Sequence, residues 1–238
     1  MSRPPDIPTG PGTPFGGGFY AGRIAVAGAA FALIVAPKAL GERGDLAWSG
    51  QSLPSSRPLS LCDGMANSEV MATAGHPAAR FCRSLTLGGA GDWYLPARDE
   101  LELLYRHLKP GPTPNYTYAS RAEWWNPEPG QFNGVDHNGN GGNRASLPAG
   151  RRYTTKIPGQ TLAEAFRAGG AEAFEPRWYW SSSEFSPVFA WMQSFDHGLQ
   201  SYGDTGDGHC CRAVRKVPIP HGLSAISART TVRPILKA

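Results

Sequence analysis

The sequence predicts an α+β fold with two to three helices, small antiparallel sheets and long loops. Three observations carry that expectation. The 238 residues include 30 glycines and 22 prolines, about twice the usual share of the two together, so much of the backbone is irregular. Between Pro96 and Pro110 the apolar residues recur with the period of a helix. From Trp178 to Arg215 the chain is a series of short β-prone runs divided by Gly, Asp and Ser. Charged residues make up 18% and hydrophobic ones 40%, which excludes coiled coils, helical repeats and acidic disordered tails.

Residues 1–18 are rich in Pro and Gly with almost nothing to bury, and they read as an extended arm or linker ahead of a domain spanning 19–217. Two β-rich runs between Phe19 and Ala36 flank Ala27-Gly28, the pattern of a hairpin. Cys62 to Ala74 is rich in Ala and Met and ends at Gly75, which predicts a first helix. The second is the clearest: Leu101, Leu104, Tyr105 and Leu108 share one face, Asp99, Glu100 and Glu102 sit early, and Arg106, His107 and Lys109 sit late. A third starts at the capping box Thr161 to Glu164, turns Leu162, Ala165 and Phe166 inward, and stops at Gly169-Gly170. Residues 110–158, rich in Pro, Gly, Asn, Trp and Tyr, form a long irregular stretch of the kind that is either functional or held by aromatic packing. Ala213-Val214-Arg215 has the look of a closing strand.

Charge divides the chain again. Lys216, Arg229, Arg233 and Lys237 follow Arg215 with no acidic residue and supply the whole formal excess of +4. A nucleic-acid binder concentrates Lys and Arg on its folded body, because affinity comes from neutralised phosphates. Here the surplus lies past Arg215, with three of its four residues on the basic tail 218–238, so the expectation is contact with a protein partner and not with nucleic acid. The four cysteines, Cys62, Cys82, Cys210 and Cys211, show no zinc-ligand spacing and are read as core thiols. The opening residues lack the apolar region of a secretory signal, and the most apolar stretch, Ile24 to Ala36, is too short to span a bilayer, so no membrane insertion is expected.

The motifs DWYLPARDEL at 92–101, YWSSSE at 179–184, Ala190-Trp191, Phe195, Gly198 and CRAVRK at 211–216 resemble the Lcl C-terminal-like domain family. That family belongs to the group sharing the C-type-lectin and formylglycine-generating-enzyme fold. Within the group, 179–216 is similar to the variable region of proteins diversified by retroelements and of phage tail-tip tropism proteins. The resemblance implies a C-type-lectin-like fold, a fixed scaffold and a variable contact surface. To the scaffold it assigns Trp93, Leu95, Pro96, Tyr179, Trp180, Ala190, Trp191, Gln193, Phe195, Gly198, Gln200, Arg212 and Arg215. The contact surface would comprise Phe185, Ser186 and Phe189 on one run, Ser194, Asp196, His197 and Leu199 on the next, and Ser201, Tyr202, Asp204, Thr205, Asp207 and His209 on the last.

Two features of the residues themselves fit. Mutagenesis at the adenines of an Asn codon ending in a pyrimidine never yields Glu, Gln, Lys, Met or Trp. Between Phe185 and His209 those types occur only as Trp191, Met192, Gln193 and Gln200, of which Met192 alone falls outside the proposed scaffold. The aromatic, small polar and acidic residues between them have the composition of a paratope, in which rings supply area and small polar groups adapt. The resulting expectation is a non-enzymatic receptor-binding protein of a phage tail fibre or tail tip. It would be a homotrimer made in the host cytoplasm and carried on the virion, with termini attached to other tail proteins and a host-surface protein or glycan as receptor. Tyr118, Trp124 and Trp125 would pack beneath the surface or between subunits.

Other chemistries are weighed against this one. A bacterial lectin-like adhesin or ligand-display protein would use the same residues. A formylglycine-type oxidase needs two closely spaced cysteines facing one substrate, whereas adjacent Cys210 and Cys211 point to opposite faces of a strand. Asp136, Asn138, Asn140 and Gly141 match half of a calcium loop, but its twelfth position is Leu147, so calcium stays a weak expectation and no other cofactor is implied. Asp204 and Asp207 are spaced as turn residues, not as a catalytic pair, and no nucleophile elbow supports Ser-His-Asp chemistry.

Overall fold

The computed structural model describes residues 6–50, 60–72, 75–117 and 142–220. Pro14–Phe15 (β1), Gly18–Val26 (β2) and Ala29–Val35 (β3) are followed by a short helix, Lys38–Gly41 (α1), and Glu42–Ala47 (β4). Three helices come next, Gly64–Met71 (α2), Pro77–Arg83 (α3) and Arg98–Leu108 (α4). The chain closes with Trp178–Ser186 (β5), Phe189–Ser194 (β6), Gln200–Asp204 (β7), Gly208–Arg212 (β8) and Val214–Pro218 (β9). The architecture is therefore α+β, with four α-helices and two sheets among the described residues. One sheet is ordered β1-β2-β3-β9 and is antiparallel; the other is ordered β4-β8-β5-β6-β7 and is antiparallel except where β5 meets β8.

The hairpin turns at Ala27-Gly28, both at positive φ, and its second strand pairs with β9, so the start and end of the described chain lie side by side. Strand alternation divides the interior into two cores. Leu33, Val35, Tyr179 and Cys210 face one, together with Leu101, Leu104, Tyr105 and Leu108 of α4. Ile34, Trp180 and Cys211 face the other, with Trp48, Trp93 and Ala78, Ala79 and Cys82 of α3. A period of two sends successive side chains to opposite sides of a strand, which is why neighbours in sequence serve different cores. The adjacent cysteines are buried on opposite sides for the same reason.

Three expectations are corrected. The sequence predicts two to three helices, whereas four α-helices form among the described residues, with α1 and α3 unforeseen. The third helix is a single 3-10 turn, Glu164–Phe166. The Thr161 hydroxyl accepts from the Ala163 N–H and donates to the His107 carbonyl, which ties the segment to α4 instead of extending it. Phe166 is buried as expected, but Leu162 is 88% exposed and Ala165 also faces outward. The arm, from residue 6 onward, is docked and not a free linker. Gly12 and Thr13 exchange backbone hydrogen bonds with Tyr20, and Ile7 and Phe15 pack against the small core of Tyr20, Ala32 and Ile219. Residues 1–5, Tyr118, Trp124, Trp125, the 136–141 part of the calcium-like loop and the tail from 221 onward lie outside the described residues.

Candidate recognition site

The site is built on β5, β6 and β7, and the sequence motifs explain why that sheet is rigid. Each serine of YWSSSE is committed to a different neighbour. Ser181 Oγ donates to the Trp191 carbonyl at 2.9 Å and fixes β6, and Ser182 N–H donates to the Pro96 carbonyl at 2.8 Å. Ser183 Oγ accepts from the Arg98 N–H at 3.0 Å and donates to the Ser60 carbonyl at 2.8 Å. Ala97 precedes α4 and has no side-chain acceptor, and the hydroxyl of Ser183 satisfies one of the first-turn N–H groups that have no partner within the helix.

The other motifs converge on the same frame. Tyr94 exchanges two backbone hydrogen bonds with Val214, and the Arg215 guanidinium makes a bidentate contact with Asp92 at 2.6 and 3.0 Å. The fully buried Glu100 accepts from the N–H groups of Gly64 and Ala97 and from the Tyr94 hydroxyl. Those donors favour its charged form, but loss of solvent outweighs them and pushes its pKa up to about 7. Arg212 has no exposed surface; it lies over the rings of Phe166 and Phe174 and donates to the Ala36 carbonyl and to Glu172. Trp93, Leu95, Pro96, Tyr179, Trp180, Ala190, Trp191, Gln193, Phe195, Gly198 and Gln200 are buried, and Arg215 is half-buried.

The expected contact residues do not form one surface. The pairings Phe189↔Asp204, Trp191↔Tyr202 and Gln193↔Gln200 place alternate residues of β6 and β7 on a single face. At its outer end Phe185 stacks on Tyr202 with centroids 4.1 Å apart, meets Trp191 edge-on at 5.3 Å, and Phe189 leans on Tyr202 at 5.2 Å. Arg98 covers the Trp191 ring from the start of α4, 5.2 Å from its centroid. At the other end, Asp196, His197 and Leu199 occupy the β6–β7 connection. The His197 ring lies 6.0 Å from Trp178 and 6.2 Å from Tyr116, and Asp196 accepts from the Thr113 hydroxyl. The six residues of β6 separate the two groups by roughly 17 Å, with buried Gln193 and Gln200 between them.

Three further assignments change. Ser194 and Thr205 are buried. The first pairs its backbone with Leu199, and the second does so with Val188 and Ser49, so both belong to the frame. His209 lies on the opposite side, against Trp180 at 4.5 Å, and burial lowers its pKa. Ser186 and Ser201 are half-buried, while Asp204 and Asp207 are exposed. Asp204 Oδ1 accepts from the Gly206 N–H, and its carbonyl accepts from the Asp207 N–H, so this pair organises a turn. Sequence reasoning missed Arg98 and Thr113, which touch the two groups. The Arg-Asp step inside PARDEL was the available signal for the first, and nothing local marks the second.

No family model matches the chain, and no curated protein or solved structure matches it either. Among the described residues no group of three or more His, Cys, Asp or Glu side chains is arranged to hold a metal ion, and no helix is long and apolar enough to cross a membrane.

Proposed function

We propose that the protein is a non-enzymatic receptor-binding protein of a phage tail tip or fibre end, with a C-type-lectin-like body. The observation that carries this reading is the division of 179–212 into two populations. Tyr179, Trp180, Ala190, Gln193, Phe195 and Arg212 are buried and tied down, whereas Phe189, Asp196, His197, Leu199, Ser201, Asp204 and Asp207, set among them, reach the surface. Presenting side chains on an ordered frame avoids the roughly 0.5–1.5 kcal/mol that each mobile side chain costs on binding. Variation at the presented positions leaves the cores intact, as a surface that tracks a changing receptor requires.

Two observations support the lectin-like body. The early hairpin pairs with the closing strand, and DWYLP meets CRAVR through Tyr94–Val214 and Asp92–Arg215. The placement of Cys210 and Cys211 in different cores argues against the oxidase, because the two thiols do not face a common substrate. Burial also pushes the Cys210 thiol up to about 11, away from the thiolate that such chemistry uses. The resemblance further implies a homotrimer, which multiplies a weak site by avidity, with the termini joined to other tail proteins. The purified protein should bind host cells saturably and slow adsorption of the parent virion in competition. Failure to compete at saturating concentration would contradict the reading.

A further inference from the structure

A cleft of about 430 Å³ lies between the turn at 110–113 and the loop at 168–176, beside the Asp196 end of the sheet. Its apolar lining comes from Pro110, Pro112 and Pro176 together with Phe174 and Phe195. The two rings stack with centroids 4.1 Å apart and are buried, so the floor is fixed. Polar groups enter from separate elements: Asp196 from the β6–β7 connection, Glu175 from the 168–176 loop, Thr113 from the turn and Lys38 from α1. All are oriented in advance. Thr113 Oγ1 donates to Asp196 Oδ1 at 3.0 Å, and Lys38 Nζ donates to the Ala173 carbonyl at 2.6 Å and to the Glu175 carboxylate.

This lining discriminates by charge and by shape. An anionic ligand would face two carboxylates, and those carboxylates are already balanced, Glu175 by the Lys38 ammonium and Asp196 by the charge of nearby Lys109, which leaves little to attract a cation. The favoured ligand is uncharged, carries hydroxyl donors around its rim for Asp196 and Glu175, and has apolar C–H faces for the prolines. A sugar ring has that distribution, and the volume falls in the range of roughly 300–1,000 Å³ typical of small-ligand sites. We propose that this cleft binds a neutral saccharide of one or two pyranose rings. The proposal rests on the recognition reading above and names a glycan as the class of receptor group taken at this end of the sheet.

The test is saturation-transfer NMR on the purified protein with glucose, galactose, mannose, N-acetylglucosamine, maltose and lactose. At least one sugar should respond. Gly111 lines the cleft, and a Cβ built there meets no atom within 4 Å, so Gly111→Trp adds a large ring to the cleft's lining without a clash at its Cβ. Asp196→Asn keeps the acceptor for Thr113 but removes the charge. Each should weaken the sugar response at least tenfold with circular dichroism and Tm retained. Silence of the folded wild type across the panel, or an unchanged response in both variants, would overturn the assignment. So would stronger saturation of an acetylated Gly-Arg-Gly peptide than of any sugar, since the cleft would then hold a partner's side chain. The measurement uses no host cell, so its failure is separable from failure of the competition experiment.

Discussion

Arg212 shows how a single residue ties the frame together. Its guanidinium is fully buried and depends on Glu172, with Glu42 also near, while its plane covers Phe166 and Phe174. Removing one partner of such a group strands buried charge, so Arg212→Met should cost about 3–5 kcal/mol in urea unfolding. Arg177 and Asp45 also form an ion pair, but both are well exposed, and Arg177→Ala should leave the unfolding midpoint unchanged. Glu100 supplies a second residue-scale prediction. Its folded pKa, about 7, lies above the ordinary glutamate value of 4.5, so its contribution to stability is complete below that lower value and is lost as pH rises through about 7. Burial lowers the pKa values of His76, His107, His197 and His209, which act in the opposite direction as pH falls. The difference between wild type and Glu100→Gln isolates the carboxyl. Tm measured from pH 5 to pH 8 should fall more steeply for wild type than for the variant, whose amide still accepts from Gly64 and Ala97. Parallel curves would show that Glu100 stays ionised.

At the scale of elements, the turn that joins β6 to β7 is held against α4. Gly198 has φ +77°, and a Cβ there would come within 2.3 Å of the Tyr105 ring. Gly198→Ala therefore combines an unfavourable backbone with a clash, and it should destabilise the fold by about 1–3 kcal/mol in chemical denaturation. The hairpin and α4 were legible in the sequence because their signals are local: a Gly at the turn, and an apolar period bounded by two prolines. The supposed third helix had an equally local signal and still did not form. Its Thr161 bonds to α4, and Leu162 finds nothing to pack against. The partner of the first α4 N–H was illegible for the converse reason, because the hydroxyl that accepts from it belongs to Ser183, 85 residues further on. Local patterns report what a segment can do alone, and these two segments are decided by distant partners.

Over the whole molecule, the division of the C-terminal sheet into frame and presented residues was legible because buried rings and serines recur in motifs. The arrangement of the presented residues was not. Strand register decides which of them share a face, and it places Asp196, His197 and Leu199 at the opposite end of β6 from Phe185, Phe189 and Tyr202. The docked arm was also misread, since Ile7 and Phe15 find their partners only once β2, β3 and β9 are assembled. The central claim is that the residues presented by this sheet, the ring group at its outer end among them, recognise the host. The most direct measurement is adsorption to host cells by virions carrying Phe189→Ala with Tyr202→Ala, alongside Tm and oligomeric state of the purified variant. We predict that adsorption is abolished while the folded oligomer persists; adsorption at the wild-type rate would contradict the account.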